Sequence, residues 1–252
     1  MNKFINLLGF LLIINLLIFC NLLVNQYNHK DLLSISYAKT AIHNNDNYNL
    51  ILSILKDTNK NNLIKYADYI ELNIVESIPN DTENKIAFTL SLPEQVSFIA
   101  IYSKISDTNY KFEYLVDDLA CINDFYFYKN FLVVDQTDTN SSNEFSKREF
   151  FEVFIKGDTI LKSIFQQNIY SEKIFKNNNT TCKEVEKASI DYLSGNIPKI
   201  LCIITTITYN VNSSSLNFEN KLEKISEITR KEIYSWNDSQ DKFILSKEEI
   251  IR

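Results

Sequence analysis

Glycine, proline and histidine are scarce in this chain. Its 252 residues include 3 glycines, 3 prolines and 2 histidines. So few glycines exclude collagen-like repeats and phosphate sites that depend on a glycine-rich loop. Two histidines leave acid–base and metal chemistry without its commonest side chain. Because His29 and His43 both lie near the N-terminus, a catalytic triad with a histidine in the later part of the chain is excluded.

The chain is acidic, with 26 Lys and Arg against 32 Asp and Glu and a net charge of −6. An acidic surface repels nucleic-acid phosphates, so the composition predicts no nucleic-acid partner. Three of the four cysteines lie outside the first apolar segment, and no C-x-x-C pair occurs. An odd number of cysteines disfavours a complete disulfide framework, although a single Cys182–Cys202 bridge stays an alternative.

Residues 4–24 form a long apolar run, interrupted only by three asparagines and one glycine. As a helix this run would span about 31 Å, enough to cross the hydrocarbon core of a bilayer. We therefore predict a signal anchor within residues 1–28, with the membrane as a partner. A cleaved signal peptide, a lipoprotein signal with Cys20 as the lipidated residue and a buried core helix are the alternatives.

The charges beside this run favour one orientation. Lys3 and the amino terminus flank its first end, and the flank is short. The positive-inside rule then places the N-terminus in the cytoplasm and the remaining chain outside it. We expect a single-pass cell-membrane protein with an extracytoplasmic C-terminal domain, or a secreted protein if the segment is cleaved.

Residues 29–72 show the period of an α-helix in two stretches, separated by the polar turn Asn44–Asn47. We predict a helical hairpin that packs between the membrane segment and the rest of the chain. The periodic apolar residues are Leu32, Leu33, Ile35, Ala38, Ile42, Leu50, Ile51, Ile54 and Leu55.

Residues 73–252 contain short β-branched and aromatic runs between polar turns. Tyr110, Phe112 and Tyr114 alternate with charged residues, which predicts that the three rings share one face of a strand. Successive short strands predict a mainly β domain, α+β overall, arranged as an antiparallel meander, a sandwich or a partial propeller. Residues 136–147 and 176–187 are polar and predict loops, the second with a short helix at Lys183–Lys187.

Two segments predict aromatic hairpins. Ile101–Phe112 and Tyr234–Leu245 each read as a strand, a polar turn and a strand with aromatic residues. These units resemble the aromatic hairpins of exported bacterial proteins related to propeller-type repeats, and the chain resembles uncharacterised membrane-anchored proteins of low-GC bacteria. The calcium-loop signature of the propeller repeats is missing from both hairpins. The resemblance implies an exported β-rich module without a particular activity.

The best candidate metal ligands are Asp57, Asn59, Asn61 and Asp68, at positions 1, 3, 5 and 12 of a calcium loop. The segment resembles a dockerin-type or EF-hand-type loop. Asn62 stands where such loops have the glycine of their sharp turn, and only two of the four ligands are charged. We therefore expect calcium to bind weakly if at all, with an ordinary interhelical turn as the alternative. No other cofactor is predicted.

Aromatic residues on strands can stack on sugars or peptides, although most of them belong to a core. Tyr234 and Trp236 are the candidate ligand-binding residues on these grounds. Their alternative role is packing inside the β-rich domain.

No catalytic residues stand out, because the sequence contains neither G-x-S-x-G nor H-E-x-x-H. We therefore predict a membrane-anchored, noncatalytic binding or accessory protein of the bacterial envelope, with a protein or an envelope polymer as its partner. A hydrolase that attacks an envelope polymer through two carboxylates is one alternative, and a structural spacer in an envelope assembly is another. Two facing carboxylates in a concave cleft would favour the enzyme.

Overall fold

The computed structural model describes residues 32–44, 46–92, 96–138, 145–177, 180–211 and 222–251. The predicted membrane segment and Cys20 lie outside these residues. Among the described helices, none has the length and the apolar character that crossing a membrane requires.

Strands make up 65% of the structure, which confirms that the fold is mainly β. The helices follow the first strand and are α1 (Ile35–His43), α2 (Tyr48–Asp57) and a 3-10 helix (Asn61–Tyr69). The strands in chain order are β1 (Leu32–Ser34), β2 (Glu71–Val75), β3 (Ile86–Leu92), β4 (Val96–Lys104), β5 (Asn109–Leu119), β6 (Cys121–Tyr128), β7 (Phe131–Asp138), β8 (Phe145–Ile155), β9 (Lys162–Asn177), β10 (Thr180–Leu193), β11 (Lys199–Asn210), β12 (Glu223–Asn237) and β13 (Lys242–Ile250).

The strands form two antiparallel sheets. The first has five strands in the order β1-β5-β4-β3-β2, and the second has eight strands that run in sequence from β6 to β13. The second sheet curls into a half-barrel. Across the curl, the ring of Phe165 on β9 contacts Tyr234 on β12 and Phe243 on β13, with ring centroids 4.7 and 5.8 Å apart. Of the predicted arrangements, the antiparallel meander is the one that the second sheet adopts.

The helices pack on one face of the five-stranded sheet. The side of α2 that faces the sheet buries Leu50, Ile54 and Leu55, as its apolar period predicts. On β4, the fully buried Tyr102 donates a hydrogen bond from its hydroxyl to Oδ2 of Asp57 at 2.7 Å. This bond fixes the end of α2 to the centre of the sheet.

The opposite face of the five-stranded sheet packs on strands β6 to β8. Because side chains alternate along a strand, Ile99 and Ile101 of β4 point away from the helices. They share a core with Leu132 and Val134 of β7. The five-stranded sheet is therefore buried on both faces.

A tight turn between β8 and β9 joins the two sheets through the backbone. The N–H of Leu115 on β5 donates to the carbonyl oxygen of Thr159 at 2.9 Å, and the N–H of Leu161 donates to that of Leu115 at 2.8 Å. A Cβ on Gly157 would lie 2.4 Å from the carbonyl oxygen of Ile160. Since real Cβ contacts are longer, the turn accommodates only glycine here without moving.

A third core fills the concave side of the half-barrel and is largely aromatic. The ring of Trp236 lies 4.9 Å from that of Phe131 and 5.5 Å from that of Phe243, measured between centroids. These separations are typical of tilted and edge-to-face aromatic contacts. The half-barrel is therefore packed by its own side chains at this end.

A β-bulge in β5 alters the predicted arrangement of its aromatic residues. Phe112 pairs with Tyr102 and Tyr114 pairs with Ile101, so that the pairing skips Glu113. The prediction that the three aromatic residues of β5 share one face is therefore wrong for Tyr114. Phe112 packs towards the helices, whereas Tyr114 lies in the core between the sheets, because the extra residue turns the strand over.

The two polar segments predicted as loops are strand at the positions that the structure describes, which are residues 136–138, 145–147, 176–177 and 180–187. β7 continues to Asp138, and β10 includes the segment Lys183–Lys187, for which a short helix is predicted. From Thr180 to Lys187, β10 is hydrogen-bonded to β9 on one side and to β11 along most of the other. Backbone bonds to distant strands thus outweigh a local composition that is typical of loops.

The turn geometry predicts that Gly157→Ala destabilises the protein by about 1–3 kcal/mol, the usual cost of inserting a methyl group where no space exists. Urea unfolding of the purified chain measures this free energy. Asp158→Ala, at an exposed position of the same turn, is the matched control and should change stability by less than about 0.5 kcal/mol. Equal stabilities of the two variants would contradict the proposed close contact.

Candidate functional site

A cleft of about 660 Å³ lies where the two sheets meet. Its walls come from the loop before β3, the bulge of β5, the β6–β7 hairpin and the β8–β9 turn. Small-molecule sites commonly have volumes of about 300–1,000 Å³. The cleft is therefore large enough for a small ligand or for one group of a larger one.

The loop before β3 is held in place by hydrogen bonds to β6 and within itself. The N–H of Phe127 donates to the carbonyl oxygen of Pro79 at 2.9 Å, and Nδ2 of Asn80 donates to the carbonyl oxygen of Phe127 at 3.0 Å. Oδ2 of Asp81 accepts a bond from the N–H of Lys85 at 2.7 Å. The loop is thus a fixed wall that brings Lys85 to the floor of the cleft.

The ammonium group of Lys85 is buried between two carboxylates and two rings. Its Nζ lies 2.5 Å from Oε2 of Glu83 and 3.6 Å from Oε2 of Glu113. The ring centroids of Tyr114 and Phe127 lie 5.5 and 5.7 Å away, within cation–π range. Burial opposes the charged form, but the bond to Glu83 and the surrounding carboxylates outweigh it and raise the pKa of Lys85. Lys85 is therefore an ammonium at neutral pH.

Glu113, the extra residue of the bulge, lies behind this floor. Burial opposes its ionisation, but hydrogen bonds from Ser103 and Tyr114 and the charges of Lys85 and Lys156 outweigh burial and lower the pKa of Glu113. Nζ of Lys156 lies 3.7 Å from Oε1 of Glu113 and 4.8 Å from the ring centroid of Tyr114. The bulge thus directs both Glu113 and Tyr114 towards the lysines of the cleft.

Two lysines stand at the rim of the cleft. Nζ of Lys129, in the β6–β7 turn, donates to the carbonyl oxygen of Gly195 at 2.8 Å. Phe131 of β7 pairs with Ile155 of β8. Lys129 and Lys156, which lie just outside this pair, are therefore at the same end of the sheet. Lys129 and Lys156 therefore line neighbouring parts of the rim, in a protein whose net charge is −6.

Comparisons with known proteins give no counterpart for this arrangement: no family model, curated protein or solved structure matches the chain. The cleft offers three ammonium groups, side-chain amides and an aromatic and aliphatic wall. Such a set binds polar and apolar parts of one ligand at the same time.

None of the cleft residues was identified from the sequence alone. They come from four segments between residues 79 and 161 that meet only after folding. The one local signal was the pair Asn80 and Asp81, whose side chains favour turns. Nothing near it in the sequence connects it to Lys156.

The predicted ligand-binding residues Tyr234 and Trp236 lie on β12, half-buried in the aromatic core of the half-barrel. The hydroxyl of Tyr234 donates to Oε2 of Glu232 at 2.6 Å. Nε1 of Trp236 donates to Oδ1 of Asp238. Both side chains have protein partners and lie apart from the cleft, and their role in binding stays a prediction.

The predicted calcium ligands surround the connection between α2 and the 3-10 helix. Asp57 accepts the hydrogen bond from Tyr102, and Asn61 donates to Oδ1 of Asn59 at 3.5 Å. Asp68 is exposed on the 3-10 helix. Among the described residues, no three His, Cys, Asp or Glu side chains are grouped so that they could hold a metal ion. Asp57 is directed towards the sheet, which fits the alternative of an interhelical turn.

A pair of carboxylates lies on the concave side of the half-barrel. Asp124 and Asp135 are cross-strand partners on β6 and β7, so their side chains share a face. On the same face, the hydroxyls of Tyr126 and Tyr192 are 2.8 Å apart. Burial and the charge of Asp124 raise the pKa of Asp135 to about 6. A carboxyl group with this pKa exchanges protons near neutral pH, as a general acid or base does.

The raised pKa predicts that Asp135→Asn stabilises the protein at pH 7–8. In the wild type, ionisation of Asp135 is harder in the folded than in the unfolded state, so stability falls as pH rises from about 4 to about 6. The variant lacks this loss and should be more stable by about 1 kcal/mol at pH 7, since solvent screens part of the effect.

Urea unfolding between pH 4 and pH 8 tests this expectation. The gain should disappear near pH 4, where Asp135 is protonated in the folded state. Asp124→Asn removes only the neighbouring charge and leaves the burial of Asp135, so it should give a smaller gain. A constant difference between Asp135→Asn and the wild type at every pH would refute the assignment.

Proposed function

We propose that this protein is a noncatalytic binding protein whose ligand site is the cleft between its two sheets. The observation that carries the proposal is the buried ammonium of Lys85, held between Tyr114 and Phe127 at the floor of the cleft. A hydrogen bond with Tyr114 raises the pKa of Lys156, as the carboxylates raise that of Lys85. Amines that stay protonated donate hydrogen bonds and do not act as nucleophiles or bases near neutral pH.

In this proposal, residues 4–24 anchor the protein in a bacterial cell membrane, and the binding domain lies outside the cytoplasm. The apolar length of the segment supports the anchor. Residues 25–31 connect it to β1 and reach at most about 25 Å when extended. The cleft would then meet components of the envelope close to the bilayer, either a small molecule or one group of a polymer or protein.

A hydrolase is the second candidate, and one observation favours it. Asp135, with a pKa of about 6, faces Asp124 on a concave surface that also carries Tyr126 and Tyr192. A carboxylic acid beside a carboxylate is the pair that glycoside hydrolysis requires. If this candidate is correct, Asp135→Asn abolishes hydrolysis of envelope polysaccharide, whereas substitutions in the cleft leave hydrolysis unchanged.

Blocking the cleft tests the binding function. A library of small molecules and envelope fragments is screened by thermal unfolding of the full chain in detergent. A ligand at about 100 times its Kd should raise the unfolding midpoint by about 5 °C. Asn130→Trp places an indole at the rim and should remove this shift.

The matched control is Asn49→Trp, at an exposed position on α2 away from the cleft. It should keep the full response to the ligand. A ligand that stabilises both variants equally would place the binding site elsewhere, and a library without any stabilising ligand would count against a binding function.

A C-terminal tag tests the membrane part of the proposal. On intact cells, added protease should remove the tag, and the protein should stay with membranes washed in alkaline carbonate. Lysed cells provide the control for protease access. A tag that is protected until lysis would place the domain in the cytoplasm and contradict the proposed orientation.

A further inference from the structure

The acidic groups of the cleft already have cationic or N–H partners. Asp81 accepts bonds from the backbone N–H groups of Glu83 and Lys85, at 3.2 and 2.7 Å. Glu83 pairs with the ammonium of Lys85, and Glu113 lies between Lys85 and Lys156. The negative charge around the cleft is therefore largely compensated within the protein.

The ammonium groups at the rim are less well compensated. Nζ of Lys129 donates to the uncharged carbonyl oxygen of Gly195 and lies 5.8 Å from the ring centroid of Tyr128, at the edge of the concave core. Lys156 is 67% exposed, and its closest carboxylate contact, to Glu113, is long at 3.7 Å and shared with Lys85. Since an ammonium group has three donors, both lysines keep donors that can turn towards a ligand.

The wall beside these lysines is apolar. Phe127 lines the cleft and Leu161 closes it with a buried side chain, whereas Ile155, at its edge, packs on the concave core. A fully charged ligand such as inorganic phosphate would leave this surface without a partner, and a neutral apolar ligand would leave the rim ammonium groups without an anion. The complementary ligand has one part of each kind.

The geometry points to an organic anion as the ligand of the cleft: a carboxylate or phosphate group joined to a compact apolar body. Lys129 and Lys156 bind the anionic group and determine the specificity, and Phe127 and Leu161 contact the apolar body. This inference rests on the proposed function of the cleft as a binding site. The anion belongs either to a free small molecule or to the headgroup of an anionic lipid.

Calorimetric titration of the full chain in detergent tests the ligand class with matched probes. Phenyl phosphate carries both parts, inorganic phosphate lacks the ring, benzyl alcohol lacks the charge, and benzylammonium has the opposite charge. We expect phenyl phosphate to bind at least about tenfold more tightly than each of the other three, and less tightly at high ionic strength. Dihexanoyl phosphatidic acid represents an anionic lipid headgroup. If it binds more tightly than phenyl phosphate, the ligand is a lipid, and if phenyl phosphate binds more tightly, the ligand is a free small molecule.

The double variant Lys129→Gln/Lys156→Gln should weaken binding of phenyl phosphate by about tenfold or more. Lys111→Gln/Lys242→Gln removes the same charge at exposed positions outside the cleft and is the matched control. Equal losses in both variants would mean that net charge alone attracts the anion, and the proposal would fall.

The probes separate the failure of this inference from the failure of the binding function. If benzylammonium or benzyl alcohol binds best and Asn130→Trp blocks it, the cleft is a binding site and the anionic class is wrong. If no probe binds and the wider library also fails to stabilise the wild type, both proposals fail.

Discussion

The burial of the five-stranded sheet on both faces is the constraint on which the rest of the structure depends. A sheet with one solvent-exposed face has strands in which polar and apolar residues alternate. In β4, by contrast, all residues from Phe98 to Tyr102 are buried. Two different layers must therefore cover this sheet, because neither layer can shield both faces. The helices cover one face, and strands β6 to β8 of the half-barrel cover the other.

The cleft is a consequence of how the second layer meets the first. Strands β6 to β8 continue into a sheet that curls away, so the contact between the sheets ends at a border with turns and loop ends. Backbone groups at such a border need partners, which the bonds between Leu115 and the β8–β9 turn provide. Because of the bulge at Glu113, the ring of Tyr114 lies not in the core beside the helices but at this border. Lys85 is stable there because carboxylates compensate its buried charge.

The features that follow from local pattern could be predicted from the sequence, and those that depend on distant strands could not. The apolar period predicts α1 and α2, although Leu32 and Leu33 of the first predicted helical stretch form β1 instead, because they pair with β5. The turns of both aromatic hairpins fall where expected, although the hairpins belong to different sheets. The bulge of β5 cannot be recognised from the alternation of polar and apolar residues in this strand, because it arises from the pairing with β4. The cleft was missed for the same reason: Lys85, Tyr114, Phe127 and Lys156 share a site only through sheet packing.

The cleft and the Asp124–Asp135 pair lie on opposite faces of the same strands, so the two candidate sites are separate. On β6, Phe127 points to the cleft side, whereas Tyr126 and Tyr128 belong to the concave core, as alternation along a strand requires. Asp135 shares the concave face with its partner Asp124 and is separated from the cleft by the sheet itself. A ligand in the cleft therefore cannot contact the carboxylate pair. Lys156→Gln and Asp135→Asn should therefore change the free energy of unfolding additively, because Lys156 contacts Glu113 and Tyr114 on the cleft side and Asp135 lies on the other face.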